Sequence, residues 1–238
     1  MKSDTICGQN AVAALFARRA EQVLRLFHTP EQRIVVGSWC AALAAARKPY
    51  RMVEEAELAA IAGTPHHGGI VAVARPREVA ILDLAAIPRL PFLLVLDGIG
   101  NPHNLGAIAR SAAFFGCRAL LIAEGAGNAL PSDAAYRVSE GGLEWLDLYR
   151  TRYLPAALQA MAPHYRTVAA SLGRDAAPLA ELPRDRATAL VLGHEEHGVS
   201  LPVLAACRRE VRIAGSNRVQ SLNVAQAAAV LLHALCAT

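Results

Sequence analysis

From residue 92 onward the chain is punctuated by short, largely apolar runs: Phe92-Leu93-Leu94-Val95-Leu96, Ala119-Leu120-Leu121-Ile122, Thr167 to Ala170 and Ala189 to Leu192. They are too short for helices and lack the alternation of a half-exposed strand, so they read as strands buried on both faces. Between and after them lie helical stretches, one behind Asp97-Gly98, one around Pro155 to Met161 and a closing one from Leu222 to Leu235, with a further strand at Val211-Arg212-Ile213. Parallel neighbours need a crossover long enough to hold a helix, so this order predicts an α/β fold with a mostly parallel sheet covered on both sides.

A smaller unit precedes it. Pro76, Pro88 and Pro91, interspersed with Arg75, Arg77 and Arg89, resist regular structure and place a joint at 84–91, between a domain at 1–83 and one at 92–238. In the first domain Val12, Leu15, Phe16, Val23 and Phe27 recur at helical spacing, and Ile34-Val35-Val36 reads as a buried strand. Helices at Ala41–Ala46 and Glu54–Ile61 and a strand at Ile70–Val73 complete a small alternating α/β unit.

With 54% hydrophobic and 18% charged residues, the 238-residue chain excludes a disordered, collagen-like or coiled-coil protein. The five cysteines, Cys7, Cys40, Cys117, Cys207 and Cys236, are scattered without a CxxC pair, which suggests neither a disulfide framework nor a cysteine zinc site and points to the reducing cytoplasm. The first residues hold no long apolar segment, and the apolar stretch from Val224 to Ala237 is short and interrupted by Gln226 and His233, so no membrane partner is expected. Net charge is +4, and 22 of the 24 cations are arginine. Guanidinium grips phosphate bidentately, which suits a nucleic-acid backbone, although GC-rich coding produces the same bias.

Three loops should meet at one edge of the large sheet, where ligands of open α/β sheets bind. The first runs from Asp97 to Arg110, with Asn104 as the expected helix N-cap and Arg110 roughly 9 Å further along the helix axis. The second is Leu192-Gly193-His194-Glu195-Glu196-His197-Gly198. Its two histidines stand three apart and not the four of a zinc-binding HExxH helix, so no metal is expected, whereas Glu195 beside glycine amides suits orientation of a cationic or hydroxyl-bearing ligand. In the third, Ala214-Gly215-Ser216-Asn217 leads to Ser221-Leu222-Asn223, with Ser221 the expected N-cap of the last helix and its free amides a potential anion site.

The Asn104-to-Arg110 segment, the Gly193-x-Glu195-x-x-Gly198 loop and the Ser221-Leu222-Asn223-Val224 helix start resemble, in order, the three motifs of the SpoU (TrmH) family of RNA ribose 2′-O-methyltransferases, over residues 92 to 238. The stretches Gly8-Gln9-Asn10-Ala11-Val12 and His67-Gly68-Gly69-Ile70-Val71-Ala72 look like those of the L30e-type RNA-binding domain that such enzymes often carry. The resemblance implies an α/β knot, with the C-terminal helix threaded through a loop, S-adenosylmethionine as cofactor, tRNA or rRNA as substrate, and a homodimer with the active site at the subunit interface. By position, Leu192, Gly193, Ile213, Ser221 and Leu222 match residues that hold the cofactor, with Ser171 at its rim, and Asn104, Arg110, Glu195, Ser221 and Asn223 match the polar set of the methyl-transfer site.

The third motif departs from the family's Ile-Pro-Met-x-Gly, reading Ile213-Ala214-Gly215-Ser216-Asn217; Gly215 and Asn217 tolerate the backbone of a tight turn, so loop rigidity and not the polar set is what the departure touches. RNA capture by the first domain is expected through Arg18, Arg19, Arg47 and Arg51, although the net charges of residues 1–90 and 91–238, +3 and +1, scarcely differ. Two rivals remain. One is a noncatalytic RNA-binding protein that keeps the fold; the other, a dinucleotide-dependent oxidoreductase, is disfavoured because Asp97-Gly98-Ile99-Gly100 lacks the third glycine of GxGxxG.

Overall fold

The computed structural model describes residues 3–125, 127–173, 176–216 and 218–236. Its first sheet holds β1 (Asp4–Cys7), β2 (Val23–His28), β3 (Tyr50–Met52) and β4 (Ile70–Ala74), in the order β1-β4-β2-β3. The β4 strand is antiparallel to β1 and β2, and β2 is parallel to β3. Helices α1 (Gln9–Arg19), α2 (Gly37–Ala45) and α3 (Glu55–Ala62) accompany it.

Two readings of this unit are corrected. Val23 and Phe27 lie in a strand, not in the first helix, which ends at Arg19. There the backbone leaves the helical region (φ −152°, ψ 46°) and a short 3₁₀ turn, Ala20–Gln22, redirects the chain. Ile34-Val35-Val36 is a turn and not a strand: Ile34 is 93% exposed, and local amides serve turn hydrogen bonds (Val36 N to Gln32 O, Gly37 N to Ile34 O), so they are unavailable to a ladder.

The larger sheet is built from β5 (Ala80–Ile81), β6 (Phe92–Asp97), β7 (Ala119–Ala123), β8 (Asp147–Thr151), β9 (Arg166–Ala170), β10 (Ala177–Pro178), β11 (Thr188–Gly193) and β12 (Arg209–Arg212). Their order is β10-β12-β9-β11-β6-β7-β8-β5, and every pairing is parallel. Side chains of β6 point alternately to the two faces, Leu94 and Leu96 to one and Leu93 and Val95 to the other, which explains its unbroken apolar run. The first face is covered by α4 (Pro102–Phe114), α5 (Asp133–Ser139) and α8 (Val224–Cys236), the second by α6 (Leu154–Met161) and α7 (Leu201–Ala206). The chain leaves β12, on the far side of β9, yet α8 packs on α4 and β11, so it returns across the ends of β9 and β11. No helix among the described residues is long and apolar enough to cross a membrane.

The two sheets are joined by a buried charge network. Arg19 donates from Nε and Nη2 to the two carboxylate oxygens of Glu144, each at 2.8 Å, and from Nη1 to the Arg75 carbonyl at 2.7 Å. Asp4 accepts from Tyr136 Oη at 2.9 Å and from the Arg77 amide at 2.8 Å, and Arg77 Nη1 completes the circuit at 2.8 Å from Glu144. Glu144 has no exposed surface and Arg19 only 7%. Burial by itself would lower the Arg19 pKa, but the Glu144 hydrogen bond and the surrounding negative groups raise it above its ordinary value. Burial likewise pushes the Tyr136 hydroxyl upward, so it stays a donor. Arg19 is therefore structural and is withdrawn from the RNA-capture set. Replacing Arg19 by Ala, which strips Glu144 and Asp4 of a buried partner, is expected to lower unfolding stability by about 3 to 5 kcal/mol, read as a reduced urea midpoint with native far-UV circular dichroism retained.

Candidate functional site

The registers bring the ends of four strands to one edge. Gly193 of β11 pairs with Asp97 of β6, Val191 with Ala169 of β9, and Ala170 with Val211 of β12. The residues that follow, Gly98, His194, Ser171 and Ile213, therefore start their loops side by side. Leu192 is buried in the core beneath this edge, whereas Ser171 and Ile213 are half-buried at it.

Backbone contact dictates the second loop. A Cβ on Gly193 would sit 2.1 Å from both the Gly198 carbonyl carbon and the Val199 nitrogen, so no side chain fits there. Reciprocal hydrogen bonds between His194 and Gly198, both 2.9 Å, close the turn, and Gly198 takes a positive φ of 68° at little cost. His194 Nδ1 accepts from the Glu196 amide at 3.0 Å and its ring stacks on His197, centroids 4.8 Å apart. Glu195 is thereby pushed outward at the tip.

Three of the expected polar residues meet. Asn223 Nδ2 donates to Asn104 Oδ1 at 3.2 Å, and Asn104 Nδ2 donates to Glu195 Oε1 at 2.5 Å, so the two amides are oriented toward a terminal carboxylate. All three residues are accessible to solvent. Neither helix cap is the expected one. Pro102, with its fixed φ, starts α4, and Asn101 caps it by accepting from the His103 amide at 2.9 Å, which leaves the Asn104 side chain free for Glu195. At α8 Asn223 accepts from the Ala225 amide at 2.9 Å, and Ser221 lies exposed ahead of the helix with Leu222. Asn217 lies outside the described residues.

Arg110 stands apart from this trio. It is more than half exposed and its Nη1 bonds Glu140 Oε1 at 2.9 Å, while its backbone is pressed against Gly142, where a Cβ would come within 2.7 Å of the Arg110 Cα. Ser171 Oγ accepts from the Gly173 amide at 2.9 Å.

Sequence reasoning missed three supports of the site. Asn128 Oδ1 accepts from the Gly98 amide at 2.9 Å, Asp97 Oδ2 accepts from the Ser200 amide at 2.8 Å, and the carbonyl of Gly127 leaves no room for a Cβ on Gly100, at 2.9 Å. An acid at a strand end signalled Asp97; nothing local signalled Asn128. All five thiols are raised, chiefly by burial, Cys7 to about 11 and Cys207 and Cys236 to about 12, so none is an activated nucleophile near neutral pH.

The arrangement offers apolar strand ends, loops fixed by backbone contact and an outward relay of amide and carboxylate groups, a geometry for seating a flat apolar group beside a hydroxyl-bearing one. Residues 91–233 match the SpoU rRNA Methylase family, and residues 5–80 match a family described as RNA 2′-O ribose methyltransferase substrate binding. An uncharacterized tRNA/rRNA methyltransferase of Haemophilus influenzae is 34% identical over 95% of this chain and 64% of that protein, so the chain spans just under two thirds of that relative's length. The 23S rRNA (guanosine-2′-O-)-methyltransferase RlmB of Acinetobacter baylyi is 32% identical over 74% of this chain and 73% of that protein. In fold, the chain is similar to an AdoMet-bound rRNA methyltransferase of Sinorhizobium meliloti, with TM-score 0.81 at 20% identity, over 98% of this chain and 86% of that one. Gly193→Ala is expected to force the loop away from Val199 and to cost about 1 to 3 kcal/mol, measured as a lowered unfolding midpoint.

Proposed function

Because the chain belongs to the SpoU rRNA methylase family, we propose that it is a methyltransferase that moves a methyl group from S-adenosylmethionine to a ribose 2′-hydroxyl of tRNA or rRNA in the cytoplasm. The observation that carries this reading is the hydrogen-bonded run Asn223, Asn104, Glu195, drawn from three distant segments to the edge where Gly193 admits no side chain.

The residues present fit the cofactor. Half-buried Ile213 and exposed Leu222 give adenine apolar contact, the tight Gly193–Gly198 turn over buried Leu192 offers backbone groups, and Ser171 and Ser221 stand at the rim. When bound, S-adenosylmethionine supplies a methyl group on sulfonium, an electrophilic carbon. The protein's task is positional: displacement at carbon needs ribose oxygen, methyl carbon and sulfur in line, and Asn104, Glu195 and Asn223 seat the sugar by hydrogen bonds. A guanidinium does not release a proton in proteins, so the 2′-hydroxyl proton passes to water at the open site as the O–C bond forms, and Arg110 serves by stabilising the negative charge that develops at the 2′-oxygen and by gripping the neighbouring phosphate, with Ser221 assisting. Its place on the exposed side of α4, away from the trio, supports a homodimer in which each Arg110 serves a site formed with the other subunit. The return of the chain across β9 and β11 to α8 supports the threaded, knotted path.

Residues 92–238 form the catalytic unit in this reading, 84–91 the joint and 1–83 an L30e-like RNA-capture unit whose residues Ala80–Ile81 lend an edge strand to the larger sheet. Arg18, Arg47 and Arg51 are exposed, with Arg18 over the Trp145 ring and Arg51 paired with Glu57. Deleting this unit would strip Arg19 and Arg77 from Glu144 and Asp4 from Tyr136, so capture is tested by substitution: Arg47→Gln with Arg51→Gln is expected to lower the slope of log affinity for RNA against log salt by about 1.5, measured by filter binding.

Incubation with labelled S-adenosylmethionine and total tRNA or rRNA should yield alkali-resistant linkages in the RNA. The absence of calorimetric heat with S-adenosylmethionine or S-adenosylhomocysteine would reassign the chain to RNA binding without catalysis. Arg110→Ala is expected to abolish methylation with the cofactor titration nearly unchanged; retained turnover would remove Arg110 from the mechanism.

A further inference from the structure

At the edge of the large sheet opposite the methyl-transfer loops, Arg166, Arg186, Arg208 and Arg209 line one open cleft of about 520 Å³. They come from three adjacent strand starts: Arg166 opens β9, Arg209 opens β12 with Arg208 just before it, and Arg186 precedes β11 by two residues. Backbone hydrogen bonds hold these starts together, Arg166 N to Ala187 O at 2.7 Å and Arg208 N to Thr167 O at 3.0 Å. Two of the guanidinium groups are anchored. Arg166 donates to the Pro183 carbonyl at 2.6 Å and to Asp185 at 2.7 Å, and Arg186 donates to the carbonyls of Ala162, Pro163 and His164 behind the C-terminus of α6. That helix end carries partial negative charge and favours a cation there.

The other two are not spent. Among the described residues neither Arg208 nor Arg209 takes part in an ion pair within 4.0 Å or donates a side-chain hydrogen bond, and both are exposed. Asp185, the carboxylate that pairs in this group, is held below its usual pKa by the Arg166 hydrogen bond and stays ionised, which offsets one of four positive charges. Four guanidinium groups in one cleft repel unless an anion lies among them. Their planar forks match phosphate oxygens, and the cleft's openness admits a polymer that enters and leaves.

We propose that Arg166, Arg186, Arg208 and Arg209 form a phosphodiester-binding cleft that grips a second stretch of the RNA substrate, about 13 to 20 Å from the methyl-transfer loops, the length of the four- to six-residue strands between the two edges. The inference rests on the RNA-substrate reading above. Three adjacent strands make the cleft about 10 Å wide, and Arg186 precedes Gly193 by seven residues, roughly 23 Å of extended chain, beyond the span of one nucleotide seated at the Gly193 loop. The cleft therefore selects for RNA long or folded enough to span the side of the sheet, and contributes to affinity without touching the reacting atoms.

The test uses the full chain carrying Arg208→Gln and Arg209→Gln, neither of which belongs to the methyl-transfer site. On total rRNA the KM should rise about tenfold with kcat unchanged, and the salt slope of binding should fall by about 1.5. Calorimetric titration of S-adenosylmethionine should be unaltered, and Arg208→Lys with Arg209→Lys, which keeps the charge, should restore the slope. An unchanged KM and slope in the folded Gln variant, while wild-type methylation proceeds, overturns the cleft and leaves the methyltransferase standing. If the wild-type chain methylates nothing but the Gln variant still loses salt-dependent RNA binding, the cleft stands and the catalytic reading falls.

Discussion

The contact on which the rest of the molecule depends is the bidentate pair between Arg19, at the end of the first helix, and Glu144, in the short turn Gly142–Trp145 of the second sheet's layer. Glu144 is fully buried, so its charge would be costly without both Arg19 and Arg77. That turn is a shared spacer. On one side Gly141 abuts Ala14 of α1, 2.9 Å from an ideal Cβ, and on the other Gly142 abuts the Arg110 backbone of α4. The placement of Arg110 is thus set partly by the domain that precedes it, and the two halves of the chain meet as one packed body through side chains more than a hundred residues apart.

The polar trio at the sheet edge illustrates how little side-chain chemistry a positioning site needs when backbone contact does the shaping. Gly193 brings its own backbone against Gly198 and Val199, and the stacked pair His194 and His197 stiffens the tip that carries Glu195. Asn104 is free to bridge Glu195 and Asn223 only because Asn101 has taken over the capping of α4. The third loop has no proline to limit its backbone, and Ala214, Gly215 and Ser216 are all exposed, so its shape rests on what flanks it: Val211 in the sheet and Asn223 at the start of α8.

The arginines divide by surroundings and not by position along the chain. Arg19 and Arg77 are structural ions in the interior, Arg110 lies on the solvent side of a helix opposite Glu140, and Arg208 and Arg209 face water from strand starts. Composition made all of them equal candidates for a polyanion. Burial and pairing separate them, because a guanidinium enclosed among carboxylates and carbonyls, as Arg19 is, cannot meet a phosphate, whereas one at the surface keeps some of its five N–H donors open to it.

The central parallel strands and the helices α4, α6 and α8 were legible from the chain alone, since strands buried on both faces must be apolar throughout and need no distant partner to be recognised, whereas the short helices α5 and α7 were not read. The glycine turn at 193–198 and the three loop segments were legible for the same reason: their residue types answer local backbone demands. The small domain was read less well. Val23 and Phe27 carry a helical spacing but pair with β4 instead, and Ile34-Val35-Val36 has strand composition but no ladder to join, because short apolar runs are decided by whichever neighbour has free backbone groups. The strands Asp4–Cys7 and Asp147–Thr151, with polar or charged residues, gave no such signal. Which asparagine caps a helix, which arginine is buried and which three polar groups touch are properties of distances across the fold, and only the tertiary structure determined them.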